Sequence, residues 1–217
     1  MTRTTLSERP VLRGTSHQVA FVAALTLAPL LIATAPRIGP RLVTSVYAVA
    51  VVGLFGVSAL YHRGPWGERG RAVMRRLDHS MIFVVIAATY TPIAAFGLPY
   101  STARWILPTV WIGAAIGVAG RLLWTSAPSV VVASPYLLLG WVGVIATDDI
   151  LHGLGPAGFV LVMTGGGLFT IGAVVYAFHR PDPWPRWFGY HEIFHLFVIA
   201  GVALHYVAIA FFAIPLA

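Results

Sequence analysis

Long apolar runs alternate along this chain with short breaks that hold its arginines and most of its prolines. Each run is long enough to cross roughly 30 Å of hydrocarbon as a helix. The pattern predicts seven helices, at 17–35, 42–62, 78–97, 103–124, 129–147, 157–179 and 187–214. The breaks fall at Pro36 and Pro40, Gly64-Pro65, Pro99, Pro128, Gly155-Pro156 and the run from Pro181 to Pro185. No internal repeat is visible. The expected fold is all-α: a polar N-terminal tail at 1–16 and one seven-transmembrane-helix domain at 17–217. No small-residue cleavage site follows the first run, so it reads as a retained span and not a signal peptide.

Composition narrows the class. With 58% hydrophobic and 10% charged residues, the 217-residue chain is too apolar for an ordinary soluble domain. A multi-pass protein of the cell membrane is expected. There is no cysteine, which removes disulfides and thiolate metal ligands, and no lysine, which removes a retinal Schiff base. The net charge of +7 comes from arginines between apolar segments, so anionic lipid headgroups are the expected partner and nucleic acid is not.

The arginines also give an orientation. Arg3, Arg9 and Arg13 precede the first helix, Arg63, Arg69, Arg71, Arg75 and Arg76 fall in the second loop, Arg121 in the fourth, and Arg180 and Arg186 in the sixth. The opposite side holds Arg37, Arg41 and Arg104, with Asp148 and Asp149. Cations are retained in the cytoplasm, so the N-terminus is expected inside and the C-terminus outside. Gly113, Gly117 and Gly165-Gly166-Gly167 would permit close helix packing.

An ionisable side chain within a membrane helix is costly and points to function. His62 ends the second predicted helix, Asp78 opens the third, and His191, Glu192 and His195 open the seventh. The orientation puts all five at the cytoplasmic face. On a helix, His191 and His195 stand about 40° and roughly 6 Å apart, close enough to share an ion. Three neutral imidazoles with an open position make a zinc site, so His62, His191 and His195 are the expected ligands. Asp78 is either a fourth ligand or the general base for an attacking water. Ser58, one turn before His62, either orients a ligand, polarises a substrate carbonyl, or bonds its own backbone. His79 is expected to meet a neighbouring helix or the interface. His205, about 15 Å along the helix from His195, cannot share its ion; it satisfies a neighbour or lines a polar cavity. His17, His152 and His179 read as boundary residues.

Several functions fit these residues: a zinc hydrolase of a lipid amide or ester with Asp78 and Ser58 as catalytic groups, a pore, or a receptor-like protein with a structural zinc. Whether the chain is an enzyme stays open among them. His191-Glu192-Ile193-Phe194-His195 also fits the zinc-protease pattern in which glutamate is the base. However, Leu77-Asp78 precedes His79 where intramembrane metalloproteases carry glycine, so Glu192 is expected beside the site or at the interface.

Ser58-x-x-x-His62, Leu77-Asp78-His79-Ser80 with Ala87-Ala88-Thr89-Tyr90-Thr91-Pro92, and His191-Glu-Ile-Phe-His195 followed by His205 together resemble the hemolysin III family, the bacterial branch of the adiponectin and progestin receptor superfamily. Arg13-Gly14-x-x-His17 and the glycine run before Tyr176 are similar to it as well. The resemblance covers nearly the whole chain. It implies a seven-helix bundle with a cytosolic N-terminus and a zinc ion on His62, His191 and His195, with Asp78 close by. Its ceramidase relatives imply hydrolysis of lipid amides, with a membrane lipid as substrate; its name implies cytolysis.

Overall fold

A computed structural model describes residues 10–124 and 128–217. Residues 1–9, with Arg3 and Arg9 of the expected tail, lie outside the described residues. The described chain is helical, without a strand: α1 (Thr15–Thr34), α2 (Ile38–Arg63), α3 (Glu68–Gly97), α4 (Tyr100–Leu123), α5 (Ser129–Gly140), α6 (Thr147–Phe178) and α7 (Tyr190–Ala208). A 3₁₀ segment, Trp141–Ala146, links α5 to α6.

The proline pattern explains most of the boundaries. Pro99 and Pro128 sit at the N-caps of α4 and α5, where a missing N–H costs nothing. Pro40 falls in the first turn of α2, so the helix begins at Ile38, ahead of the expected 42. Near the C-terminus, α7 gives way to a π segment (Ile209–Ala213) and a 3₁₀ turn (Ile214–Leu216) containing Pro215, which cannot supply a helical N–H.

The third helix starts well ahead of expectation. It begins at Glu68, ten residues before Asp78, so Arg69, Arg71, Arg75 and Arg76 lie on helix and the connection shrinks to residues 64–67. An apolar run marks where a helix enters hydrocarbon, not where its hydrogen bonding starts. Arg121 likewise belongs to the last turn of α4, and Asp148 and Asp149 to the first turn of α6, where carboxylates suit the helix dipole.

Among the described residues, six stretches are long and apolar enough to span a membrane: Thr15–Thr34, Ile38–Arg63, Glu68–Gly97, Tyr100–Leu123, Val131–Phe178 and Tyr190–Leu216. The fifth holds 48 residues, more than twice the roughly 20 that one crossing needs. Gly155 interrupts it at φ 70° and ψ 172°, a conformation open almost only to glycine. The expected break at Gly155-Pro156 is therefore real, but as a kink inside helical structure.

Short connections make α1 to α4 successive neighbours, α5 packs on α6 and α6 on α7, and α7 returns to α1. α3 touches α2, α4, α5 and α6, which makes it the central helix. One apolar core joins Leu54 and Phe55 of α2, Val85 and Ile93 of α3, Leu154 of α6 and Val198 and Val202 of α7. A second joins α3 and α4 to α5 through Phe83, Ile106, Val110 and Tyr136. Close packing uses some of the expected glycines: a Cβ at Gly117 would overlap Phe83, and one at Gly113 would crowd Leu139. Gly166 and Gly167 face open space.

Candidate metal centre

The N-terminal ends of α1 and α7, the C-terminal end of α2 and the third turn of α3 meet at one end of the bundle. His62 comes from the last turn of α2, which ends at Gly64, where the backbone turns extended at ψ 146° while its N–H still donates to Leu60 O at 2.9 Å. His191 and His195 lie in the first two turns of α7. That helix starts where the Gly189 N–H donates to Glu192 Oε2 at 2.8 Å, satisfying an orphan amide of the first turn. Asp78 enters from α3.

The spacing works as the sequence suggests. One ring nitrogen from each of His62, His191 and His195 falls within 4.8 Å of the others. Nε2 of His62 and Nε2 of His191 are 3.2 Å apart. A tetrahedral zinc with nitrogens at about 2.0–2.1 Å would hold neighbouring ligands roughly 3.3 Å apart, so this edge already has the needed length. All three rings are shielded: His195 is 1% and His191 8% exposed, and the His62 side chain 5%. Nδ1 of His195 is buried without a partner. Buried polar atoms are nearly always satisfied, so an unpartnered imidazole nitrogen within a histidine cluster suits a bound cation. The donor set, all nitrogen with a carboxylate nearby, suits zinc among divalent metals.

Asp78 is buried, and its Oδ2 lies 4.0 Å from His62 Nε2. That is too long for a hydrogen bond and leaves room for a third body between them. Asp78 falls outside the set of close nitrogens, so the structure brings it to the rim of the cluster. Ser58 approaches Asp78 and shares a 2.8 Å hydrogen bond with His17 Nδ1. Ser58 thus holds a fourth imidazole beside the cluster.

That imidazole corrects the reading of His17 as a boundary residue. His17 is 3% exposed and stacks face to face on His195, with ring centroids 3.7 Å apart and planes 6° from parallel. The whole Arg13-Gly14-x-x-His17 stretch is built around the site. Arg13 pairs with Glu192 at 2.5 Å. Gly14 adopts φ 78°, and a Cβ there would collide with that of His62. Val11 and Leu12 donate backbone N–H groups to Arg186 O and Trp187 O, fixing the segment against the loop before α7. The signal available in the sequence was the Arg-Gly pair: a glycine next to a charge, just before a helix, marks a tight backbone approach.

Glu192, 1% exposed, caps α7 and balances Arg13, and it is not in the metal-competent set. Its carboxylate is thus engaged in capping the helix and in an ion pair, outside the set of close nitrogens. His79 accepts from Arg121 Nη2 at 2.8 Å, as a residue facing a neighbouring helix should, and also lines the small cavity beside the cluster. His152 is exposed at the start of α6, with Nδ1 2.9 Å from Asp148 O. His205 lies well away from the cluster, its Nε2–H donating to Val162 O at 3.0 Å.

One cavity adjoins the cluster and a second neighbours the first. A small one of about 40 Å³ touches His17, Ser58, Asp78, His191 and His195. A larger one of about 130 Å³ runs between α2, α3, α5, α6 and α7 and is lined almost wholly by apolar side chains. The two share Leu54, Ile82, Tyr136, Ala173, Phe194 and Val198 as walls. The arrangement sets a polar, metal-competent end beside an apolar chamber, with these side chains between them.

The profile of the family described as haemolysin-III related matches residues 6–206. Similar chains include a hemolysin-3 homolog of Bacillus subtilis strain 168, 28% identical over 78% of this chain and 76% of its own length. Hemolysin-3 of Bacillus cereus is 26% identical over 100% of this chain and 98% of its own. The human monocyte to macrophage differentiation factor is 25% identical over 89% of this chain and 80% of its own. With its long apolar helices, this chain is a multi-pass membrane protein, and it belongs to the haemolysin-III-related family.

Proposed function

We propose that the chain is a membrane-embedded zinc hydrolase acting on a lipid amide or ester. The observation that carries this reading is the convergence of His62, His191 and His195 next to a buried carboxylate, beside a small cavity that shares walls with an apolar chamber. In this reading the 48-residue stretch crosses twice about Gly155, giving seven crossings with the N-terminus in the cytoplasm and the C-terminus outside. The histidine cluster then lies near the cytoplasmic face, where arginines of α2 and α3 meet anionic headgroups.

His62, His191 and His195 would hold the zinc. A zinc ion there supplies Lewis acidity, polarising a carbonyl and bringing the pKa of water to about 7. Asp78, at the rim of the cluster, accepts the proton of the attacking water and returns it to the leaving amine or alkoxide. Its burial keeps competing solvent away from that exchange. Ser58 holds His17, and His17 holds the His195 ring by stacking, so the two act on the metal through a ligand. The apolar chamber takes the acyl chain, whose burial supplies the binding free energy.

The cytolytic name of the Bacillus relative suggests a pore instead. A conducting path needs a polar lining across the bilayer, and the chamber's walls are apolar, which counts against it.

The test begins with metal content by plasma mass spectrometry on detergent-purified protein, wild type beside His191→Ala, with no affinity histidines on either. About one zinc per chain, lost in the variant, is expected; well-folded wild type without metal would overturn the zinc reading. Lipid amides are then assayed with wild type and Asp78→Asn, and turnover that survives in Asp78→Asn removes Asp78 as the base.

A further inference from the structure

His79 lines the small cavity together with Asp78, His191 and His195. Tyr176 stands between the two sides, its ring 6.4 Å from that of His79 and 5.9 Å from that of His191. At about 40 Å³, against roughly 10–15 Å³ for one water, the cavity admits about three water-sized groups. A molecule that fills so small a space meets the cluster and His79 together. The bond from Arg121 Nη2 to His79 Nδ1, 2.8 Å long, settles the tautomer. A guanidinium only donates, so Nδ1 supplies the lone pair, and in a neutral imidazole Nε2 then carries the proton. The ring is a fixed donor.

It is also held in place: Arg121 reaches the ring from α4, and Tyr136 of α5 donates its hydroxyl to the His79 carbonyl at 3.0 Å. Among the described residues no protein acceptor meets Nε2, and unlike Nδ1 of His195 it is not sealed from contact with a small molecule. Asp78, its neighbour in sequence, makes neither a hydrogen bond nor an ion pair with it. Arg121 adds charge to this donor. It is 6% exposed, its Nη1 goes to the neutral Trp124 O, and among the described residues no carboxylate pairs with it, whereas Arg13 has Glu192. A buried cation without a counter-ion is costly, and an anion brought near it offsets part of that cost. Through the ring, the guanidinium also draws electron density from Nε2–H and makes it a stronger donor. A carboxylate behind a metal-bound imidazole does the reverse, strengthening the lone pair that faces the metal.

We propose that His79 donates from Nε2–H to the oxygen anion that develops on the scissile carbonyl, with Arg121 as the residue that positions and polarises it. This rests on the hydrolase reading above. As the water oxygen bonds to the carbonyl carbon, its proton passes to Asp78 and the π pair moves onto the carbonyl oxygen, where His79 meets it. When the pair returns, the C–N or C–O bond breaks and the departing nitrogen or oxygen takes the proton from Asp78. His79 keeps its own proton throughout, so it is a donor and not a second base.

The experiment compares octadecylphosphonate, whose head is anionic and tetrahedral, with neutral octadecanol, by displacement of radiolabelled octadecanoic acid from the full chain in nanodiscs of zwitterionic lipid. In His79→Phe the affinity for the phosphonate is expected to fall about 10–100-fold, the scale of a hydrogen bond to a charged group, while that for octadecanol changes by less than about twofold. His79→Gln, whose amide returns an N–H near the place of Nε2, stays within about fivefold of wild type, and Arg121→Met loses at least about threefold for the phosphonate alone. Zinc content is measured beside each and stays at the wild-type level. With a lipid amide, kcat falls about 10²–10³-fold in His79→Phe and KM stays near the wild-type value. Phosphonate that binds His79→Phe as tightly as wild type overturns the proposal. So does an equal fall for phosphonate and octadecanol, which lost packing alone would give, a matching loss of zinc in all three variants, or an absence of phosphonate binding by wild type. Unchanged phosphonate affinity in Arg121→Met removes Arg121 from the proposal. Binding needs no turnover: if no lipid amide is cleaved while His79→Phe still loses the phosphonate, the hydrolase reading fails and the anion donor at His79 stands.

Discussion

The inner helices α2, α3 and α7 differ sharply from the outer helices α1 and α4. In the apolar windows of α2 and α3, 56% of residues are buried, and 44% in that of α7, against 22% in α1 and in α4. The three inner helices carry every residue of the metal-competent cluster and Asp78. Yet each outer helix reaches the same end of the bundle with one buried polar side chain: His17 from α1, stacked on His195, and Arg121 from α4, bonded to His79. The inner helices, the more deeply buried, carry the three clustered imidazoles. The outer helices, most of whose apolar windows are exposed, each send one polar side chain into that end, one onto His195 and the other onto His79, which lies outside the cluster.

The contrast is sharpest if an inner ligand is removed. His195→Ala should abolish stoichiometric zinc while leaving the helical circular dichroism of the wild type, because the site lies at one end of the bundle. Ser58→Ala removes the bond that holds His17 and should weaken zinc affinity by about 10–100-fold, the usual effect of losing the support behind a ligand; competition with a chromogenic chelator measures it. Gly14→Ala forces a side chain into positive φ and into His62, and should cost about 1–3 kcal/mol in detergent unfolding, with a parallel fall in zinc content. At the far end of the scale, Ile116→Ala on α4, 68% exposed toward lipid, should change unfolding by less than about 0.5 kcal/mol and leave zinc untouched. If Ile116→Ala and Ser58→Ala lowered zinc affinity equally, the division into ligand-bearing and lipid-facing helices would fail.

Local rules carried a good part of this far. The spacing of His191 and His195 needs only the pitch of a helix, and the apolar run before His62 places it at a helix end. The prolines marked most of the breaks. What stayed hidden depends on contacts between segments remote in sequence. Nothing local to His17 says that α1 returns to α7, so its stacking on a residue 178 positions away could not be read. The start of α3 was hidden for another reason: four arginines among its first nine residues give it the hydropathy of a loop, although they lie on helix. The dual role of Glu192 was half visible, because a glutamate three residues after an N-cap is a capping signal, but its ion pair with Arg13 spans most of the chain.

The grip of Arg13 and His17 on Glu192 and His195 also has a bearing on biosynthesis. A ribosome delivers the N-terminal segment first, and its partners emerge only near the end of translation. Until α7 inserts, His17 and Ser58 wait in the nascent bundle and only one of the three clustered imidazoles, His62, is in place. If the cluster holds zinc as proposed, loading would be deferred to the completed chain, and a product truncated before residue 190 would reach the membrane with most of its helices but without the means to take up the ion.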